Sequence, residues 1–293
     1  MRCAVIDGHF RLERDATVSA FDRGFLYGDA VLESLRTYGG VPFELEAHLA
    51  RLDASAEAVG FALPVSHEEL AAEVGAGLKA SGNTESSIRI IVSRGAGPVG
   101  LEPVSASRAT RVVLIDDLAV PPDSLYRRGI RLRCIRTVRS SDAVHSAKLT
   151  NYVAAIVATR DARSEGDDDA AIVDARGHVI EGTSFNIFAA FRGRLTTPPA
   201  GNGVLDGVTR RVVLDLANEA GLEIALEAFS PSDLAEADEI FVTSTFREVL
   251  GVSHLDGRQL RSVPGPLTKL LHGEFRRRVR AAPLEFDEHP ANA

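Results

Sequence analysis

The sequence predicts an α+β protein of two domains, and three observations lead there. Short apolar runs such as IRIIV (88–92) and RVVLI (111–115) are strand patterns. Other stretches carry apolar residues at helical spacing, as Leu45, Leu49, Leu52 and Val59 do. Between the two kinds of region, AVPPD at 119–123 places two consecutive prolines after a strand, the composition of an interdomain linker. A chain of 293 residues suits that division and can bury a substantial core. The expected organisation is a small α+β domain over 1–118, a linker over 119–124, a large domain over 125–282 and a tail over 283–293.

In chain order, CAVID (3–7) and residues 16–20 read as short strands. Gly39 and Gly40 make a turn between two extended runs, and HLARLDASAEAV follows as a helix. Arg51 lies beside its apolar stripe, where a surface ion pair is the ordinary expectation. HEELAAEVGAGLKA is a second helix. RGAGPVG (94–100) spells G-x-G-x-x-G after a strand, as in a dinucleotide fingerprint. Pro98, Pro103 and the nearness of the next strand leave no room for the helix whose N-terminus would take the pyrophosphate, so that site is excluded.

Beyond the linker, GIRLRCIRTV (129–138) is a strand, and SSDAVHSAK is a loop leading to Lys148. YVAAIVATRDA is a helix whose Val153, Ile156 and Val157 share one face, expected to enter the core. Asp167 to Asp169 read as a solvated loop, and AAIVD (170–174) and SFNIFAA (184–190) as buried or half-buried strands. GRLTTPP is a further short strand. A helix begins at Asp206 or Gly207, carries Val208, Val212 and Leu216, and ends at Gly221. The free N–H groups of such a start would let Val208 and Thr209 hold a phosphate. EIFVTST (239–245) is a strand, a hairpin follows around DGRQ, PLTKLLHGEFRRRV closes as a helix, and the tail from Pro283 reads as disordered.

A formal charge of −8 and a pI near 5.5 give no bulk basic surface, which disfavours nucleic acid as a partner. No apolar run has transmembrane length, and MRCAVIDGHF lacks the apolar segment of a signal peptide, so no membrane is expected and the location is cytoplasmic. Cys3 and Cys134 are too few for a disulfide framework or a metal site. Lys148 ahead of an apolar helix and Glu181 at the end of a strand are placed to be held in fixed geometry. A fixed amine and a fixed carboxylate are what a pyridine aldehyde cofactor needs. On these two residues alone, an exposed lysine and an ordinary strand-end glutamate remain the alternative.

The wording and order of DRGFLYGDAVLESLRTYGG, HLARL, KLTNY, EGTSFNIF, TTPP, LDGVTR and FVTST resemble the fold-type IV pyridoxal-phosphate enzymes from about residue 3 to 280. That group holds branched-chain and D-amino-acid aminotransferases, (R)-amine transaminases and aminodeoxychorismate lyase. The resemblance implies a small α/β sandwich domain with a larger β-barrel-like α/β domain, pyridoxal 5'-phosphate as cofactor, and a homodimer. It implies that Lys148 forms the internal aldimine and carries the proton, and that Glu181 pairs with the pyridine nitrogen. By the same resemblance Arg51, Val208, Thr209 and Thr245 hold the phosphate and Leu205 packs on the ring. Tyr152 would reach the phenolic oxygen, although K-x-x-N-Y here is one residue shorter than the K-x-x-x-N-Y of branched-chain enzymes.

For the substrate, the resemblance offers Tyr27, Arg36 in LESLR and Arg89 in SIRI on the branched-chain side. On the D-amino-acid side it offers Arg94, followed by Gly95 and Ala96 where those enzymes carry a histidine. An arginine suits a carboxylate because its planar fork gives two parallel hydrogen bonds. The activity implied is an aminotransferase moving an amino group between an amino acid of branched-chain or D type and a 2-oxo acid, in a ping-pong cycle. The alternative is aminodeoxychorismate lyase, which would release pyruvate.

Overall fold

A computed structural model describes residues 1–102, 109–137 and 147–281. The chain divides into two compact units. The first gathers Met1–Val120, Ser140–Ala154 and Gly201–Val208, and the second Pro121–Arg139, Ala155–Ala200 and Thr209–Ala293. Two segments that the sequence places inside the large domain, one holding Lys148 and one holding Leu205 and Val208, therefore group with the first unit.

The first unit is built on a six-stranded antiparallel sheet. Its strands are β1 (Cys3–Ile6), β2 (His9–Leu12), β3 (Ala30–Tyr38), β4 (Val41–Pro42), β5 (Ser86–Ser93) and β6 (Thr110–Asp117), in the order β2-β1-β6-β5-β3-β4. A five-residue helix α1 (Arg23–Tyr27) precedes β3, and α2 (Leu45–Ala58) and α3 (His67–Ser81) cover one face of the sheet. Period-2 alternation sends Val31 and Leu35 of β3 and Ile88 and Ile90 of β5 toward those helices, where they meet Leu49, Leu52, Leu70 and Val74. Helix α3 starts with a capping box between Ser66 and Glu69. Residues 16–20 form no strand. The turn at Asp7 and Gly8 pairs Ile6 with His9 at once, so the second strand comes earlier than the pattern suggested.

The second unit holds a nine-stranded mixed sheet that curls into a half-barrel. Its strands are β7 (Ile130–Arg136), β8 (Asp169–Val173), β9 (Val179–Gly182), β10 (Asn186–Phe191), β11 (Arg194–Thr197), β12 (Ile224–Leu226), β13 (Glu239–Ser244), β14 (Glu248–Leu255) and β15 (Arg258–Gln259). They run β12-β11-β10-β13-β14-β7-β8-β9, with β15 on β14. Leu132, Val173, Ile187, Ile240, Val242, Leu250 and Val252 form the centre of its core. Helices α4 (Asp123–Arg128), α5 (Val153–Ser164), α6 (Val208–Glu219), α7 (Pro231–Ala235) and α8 (Pro266–Arg278) complete the described α-helices. Among the described residues, no helix is long and apolar enough to cross a membrane.

Two expectations are overturned here. Val153 and Ile156 of α5 are 74% and 64% exposed, while Ala158 and Ala162 take the buried positions, so the apolar stripe does not enter the core. Asp167 and Asp169 are not solvated but buried. Arg133 pairs with Asp167 at 2.8 Å and Arg247 with Asp169 at 2.6 Å, so each buried carboxylate has a cationic partner. Most of SSDAVHSAK and the tail from Pro283 lie outside the described residues.

Candidate active site

Lys148 is held by its backbone. Its N–H donates to the Ser55 hydroxyl at 3.1 Å, its carbonyl accepts from Leu32 N–H at 3.0 Å, and Leu149 bridges to Val31. The segment thus continues the edge of β3 as a short extra strand, five positions before α5 begins. Thr150 adds a hydroxyl bond to the Gly28 carbonyl at 3.2 Å. Gly28 sits at φ +66°, a left-handed backbone that favours glycine. The Lys148 amine stands 3.4 Å from the Tyr152 hydroxyl.

Behind this segment α2 presents His48, Arg51 and Ser55 on one face, as the spacing i, i+3, i+7 requires. Opposite them, Glu33 points from β3 with no solvent exposure. It accepts from Arg51 Nε at 2.7 Å and Nη2 at 2.6 Å, and meets His48 Nδ1 at 2.7 Å. Arg51 Nη1 also donates to the carbonyl of Asp206 at 2.9 Å. Burial alone would raise the Glu33 pKa, but the charge and hydrogen bonds of Arg51, then those of His48, outweigh it and hold it down at about 2. Burial, helped by the charges of Arg51 and Lys148, lowers the His48 pKa against the pull of Glu33. After Glu33 and Asp206 are served, the Arg51 guanidinium keeps N–H groups on Nη1 and Nη2 for an anion. The sequence reading missed Glu33, His48 and Ser55. The available signal was a lone glutamate in an apolar strand, AVLESL, facing H-x-x-R-x-x-x-S on a helix.

Other candidates fall in separate places. Leu205 lies just before the start of α6, Val208 at it and Thr209 in its first turn, where backbone N–H groups lack intrahelical partners. In the second unit Glu181 stands half-buried on β9 opposite Ile172, and Thr245 occupies the turn between β13 and β14. Of the substrate candidates, Arg89 is exposed on β5 opposite Ser34, on the sheet face away from the helices. Arg36 lies buried on that same face of β3 with its guanidinium over the Tyr38 ring. Tyr27 accepts a bond from Gly100 N–H at 2.8 Å. Arg94 is heavily engaged: it binds Asp29 at 2.9 Å and donates to the carbonyls of Val59 and Gly60.

The family described as amino-transferase class IV matches residues 30–255, most of the chain. The chain belongs to the class IV aminotransferases. A relative from Methanocaldococcus jannaschii, described as a putative branched-chain-amino-acid aminotransferase, is 38% identical, covering 92% of this chain and 94% of its own. A D-alanine aminotransferase from Bacillus licheniformis is 30% identical over 90% of this chain and 93% of its own. Among solved structures, a branched-chain aminotransferase from Thermoproteus uzoniensis, with norvaline, has a TM-score of 0.86 at 30% identity, covering 94% of each chain.

Class IV aminotransferases use pyridoxal phosphate. The residues of this class IV aminotransferase fit that group in kind: a lysine amine on a pinned segment, a buried arginine with donors to spare, a helix start, and a carboxylate on β9.

Proposed function

We propose that this aminotransferase acts on branched-chain aliphatic amino acids and their 2-oxo acids, with Lys148 as its catalytic residue. The observation that carries the substrate class is Arg94. It is the arginine that a D-amino-acid reading needs for the substrate carboxylate, and it is committed to Asp29 and to two backbone carbonyls. The 38% relative described as a branched-chain enzyme supports the same side.

When bound, pyridoxal phosphate supplies an aldehyde carbon for an amine and a ring that accepts the electrons left at the substrate Cα. The Lys148 amine would hold that carbon and, once free, would carry the proton taken from the substrate Cα. Glu181 holds the proton on the ring nitrogen. Arg51, the N–H groups of Val208 and Thr209, and Thr245 hold the phosphate, and Leu205 packs against the ring. Tyr152 orients the Lys148 amine through the 3.4 Å contact. Arg36 and Arg89 read the substrate carboxylate, with Tyr27 beside them. The protein works in the cytoplasm as a homodimer.

The test mixes the cofactor-loaded enzyme stoichiometrically with single L- and D-amino acids. L-leucine, L-valine or L-isoleucine bleaches the visible band of the lysine-bound cofactor, and 2-oxoglutarate restores it. Bleaching by D-alanine in preference to these overturns the substrate class. No bleaching by any amino acid, with pyruvate released from aminodeoxychorismate, would turn the reading to the lyase.

A further inference from the structure

Asp169 opens β8 with its carboxylate buried, and the proposed chemistry gives it no role. Its Oδ1 accepts from the hydroxyls of Thr183 at 2.6 Å and Thr159 at 3.1 Å and from the N–H of Ala170 at 2.9 Å. Its Oδ2 accepts from Arg247 Nη2 at 2.6 Å. Thr183 stands two residues after Glu181, and Arg247 two residues after Thr245. One buried carboxylate is therefore tied to both the turn that follows Glu181 and the turn that contains Thr245.

The first of these turns has little freedom of its own. Gly182 N–H donates to the Phe185 carbonyl at 2.7 Å, and the Phe185 ring lies so close over Gly182 that a Cβ there would come within 1.9 Å of it. The Arg247 guanidinium covers that ring at 4.9 Å from its centroid. Arg247 thus grips the Glu181 turn twice, through Asp169 to Thr183 and through the face of Phe185. A cation over an aromatic face and a buried, hydrogen-bonded ion pair each break steeply when one partner goes.

We propose that Asp169 and Arg247 are positioning residues that couple the two turns, so that the Glu181 carboxylate and the Thr245 hydroxyl are set as one unit. The inference rests on the assignment of Glu181 and Thr245 to the cofactor given above. Neither Asp169 nor Arg247 touches the reacting atoms. Their effect is to let occupancy at one turn organise the other.

A double-mutant cycle on cofactor affinity tests this. Arg247→Met, Thr183→Val and the double variant are prepared as apo-enzymes, their folding is checked by circular dichroism, and the Kd for pyridoxal phosphate is measured. Coupling predicts a loss of about tenfold for Arg247→Met and about threefold for Thr183→Val, with the double variant within about twofold of Arg247→Met alone. A loss in the double variant equal to the product of the two singles overturns the coupling. Arg247 would then act for itself, through its Nη1, a buried donor with no hydrogen-bond partner among the described residues.

A second readout is the 15N shift of the ring nitrogen in labelled cofactor, which a purely structural effect on the Thr245 turn would leave alone. Arg247→Met should move it toward the unprotonated value, and an unmoved resonance counts against the proposal. Glu181→Gln serves as the control for the underlying assignment. If it leaves the resonance unchanged, the role of Glu181 fails, while the affinity cycle still decides the coupling. Should either main variant fail to fold, Arg247→Lys and Thr183→Ser replace it. Thr183→Ser keeps the hydroxyl and should bind like the parent, and Arg247→Lys should lie between parent and Met.

Discussion

Glu33 grips Arg51 side-on, with its two carboxylate oxygens 2.7 Å from Nε and 2.6 Å from Nη2, and the pair is shut away between β3 and α2. The geometry aims the remaining guanidinium donors and fixes them. Glu33→Gln keeps the shape but removes the charge. Breaking a buried pair by losing one partner costs on the order of 3 kcal/mol, because the cation is left uncompensated. The variant should melt lower, and its affinity for pyridoxal phosphate should fall more than its affinity for pyridoxal, which has no phosphate. Equal loss for both ligands would separate Arg51 from the phosphate.

The same pair sets an acid limit. The Glu33 pKa is about 2 in the folded chain and near 4.5 when unfolded, so the unfolded state takes up a proton first as pH falls. Its contribution is complete above about pH 4.5 and lost by about pH 2. His48 acts in the same direction at higher pH. Its folded pKa is lowered from 6.5, so stability is full above that value and declines as pH drops below it. Urea titrations across pH 3 to 8 should show a shallower decline for Glu33→Gln below about 4.5 and for His48→Gln below about 6.5.

Lys148 presents a different expectation. Its side chain is half-exposed and meets the Tyr152 hydroxyl, while its backbone bears the hydrogen bonds to Ser55 and Leu32. Lys148→Ala should therefore fold with an unchanged melting point. It should yield no lysine adduct on borohydride reduction in the presence of cofactor. An adduct recovered at another lysine would refute the assignment.

Much of this was legible in the sequence, and the gaps have physical causes. Alternation and helical spacing located the helices α2 and α3 and the strands β5, β6 and β13, because each has one face on a core. Motif wording offers Lys148, Glu181 and Arg51 as candidates, since local chemistry is written locally. What stayed hidden is pairwise and long-range: Glu33 meets Arg51 across 18 positions and Asp169 meets Arg247 across 78. A run of aspartates at 167–169 has the composition of a solvated loop, and only the distant arginines make it a buried one. Arg94 likewise matched a substrate-reading pattern until Asp29, Val59 and Gly60 appeared around it.

Gly182 and Gly28 give opposed expectations from nearly equal contacts. A Cβ on Gly182 would meet the Phe185 ring at 1.9 Å, and that ring is held by Arg247. A Cβ on Gly28 would meet Asn151 Oδ1 at 1.8 Å, the far end of an exposed side chain that can swing away. Gly28→Ala therefore costs about 1–2 kcal/mol, chiefly from its left-handed backbone. Gly182→Ala forces the ring aside, at about 1–3 kcal/mol, and displaces the turn after Glu181. Thermal melts of the apo-enzymes measure the costs. Cofactor affinity should fall for Gly182→Ala by more than its loss of stability suggests, and a normal affinity would show that the turn is not needed for the ring.

Helix α5 carries the last expectation. Val153 and Ile156 make an apolar stripe at the start of the helix that follows Lys148, and they are 74% and 64% exposed in the single chain. Periodicity reports that a face is apolar, not whether its own chain or another covers it. Exposed apolar faces mark contact surfaces, and symmetric self-association is one way to cover them. If this face joins two copies, Val153→Asp with Ile156→Asp buries charge without a partner and dissociates the dimer. Light scattering should then report half the parent mass at low micromolar concentration, with the monomer still folded because neither side chain supports its own core. A double variant that keeps the parent mass would place the interface elsewhere, and a parent chain that is monomeric would remove it altogether.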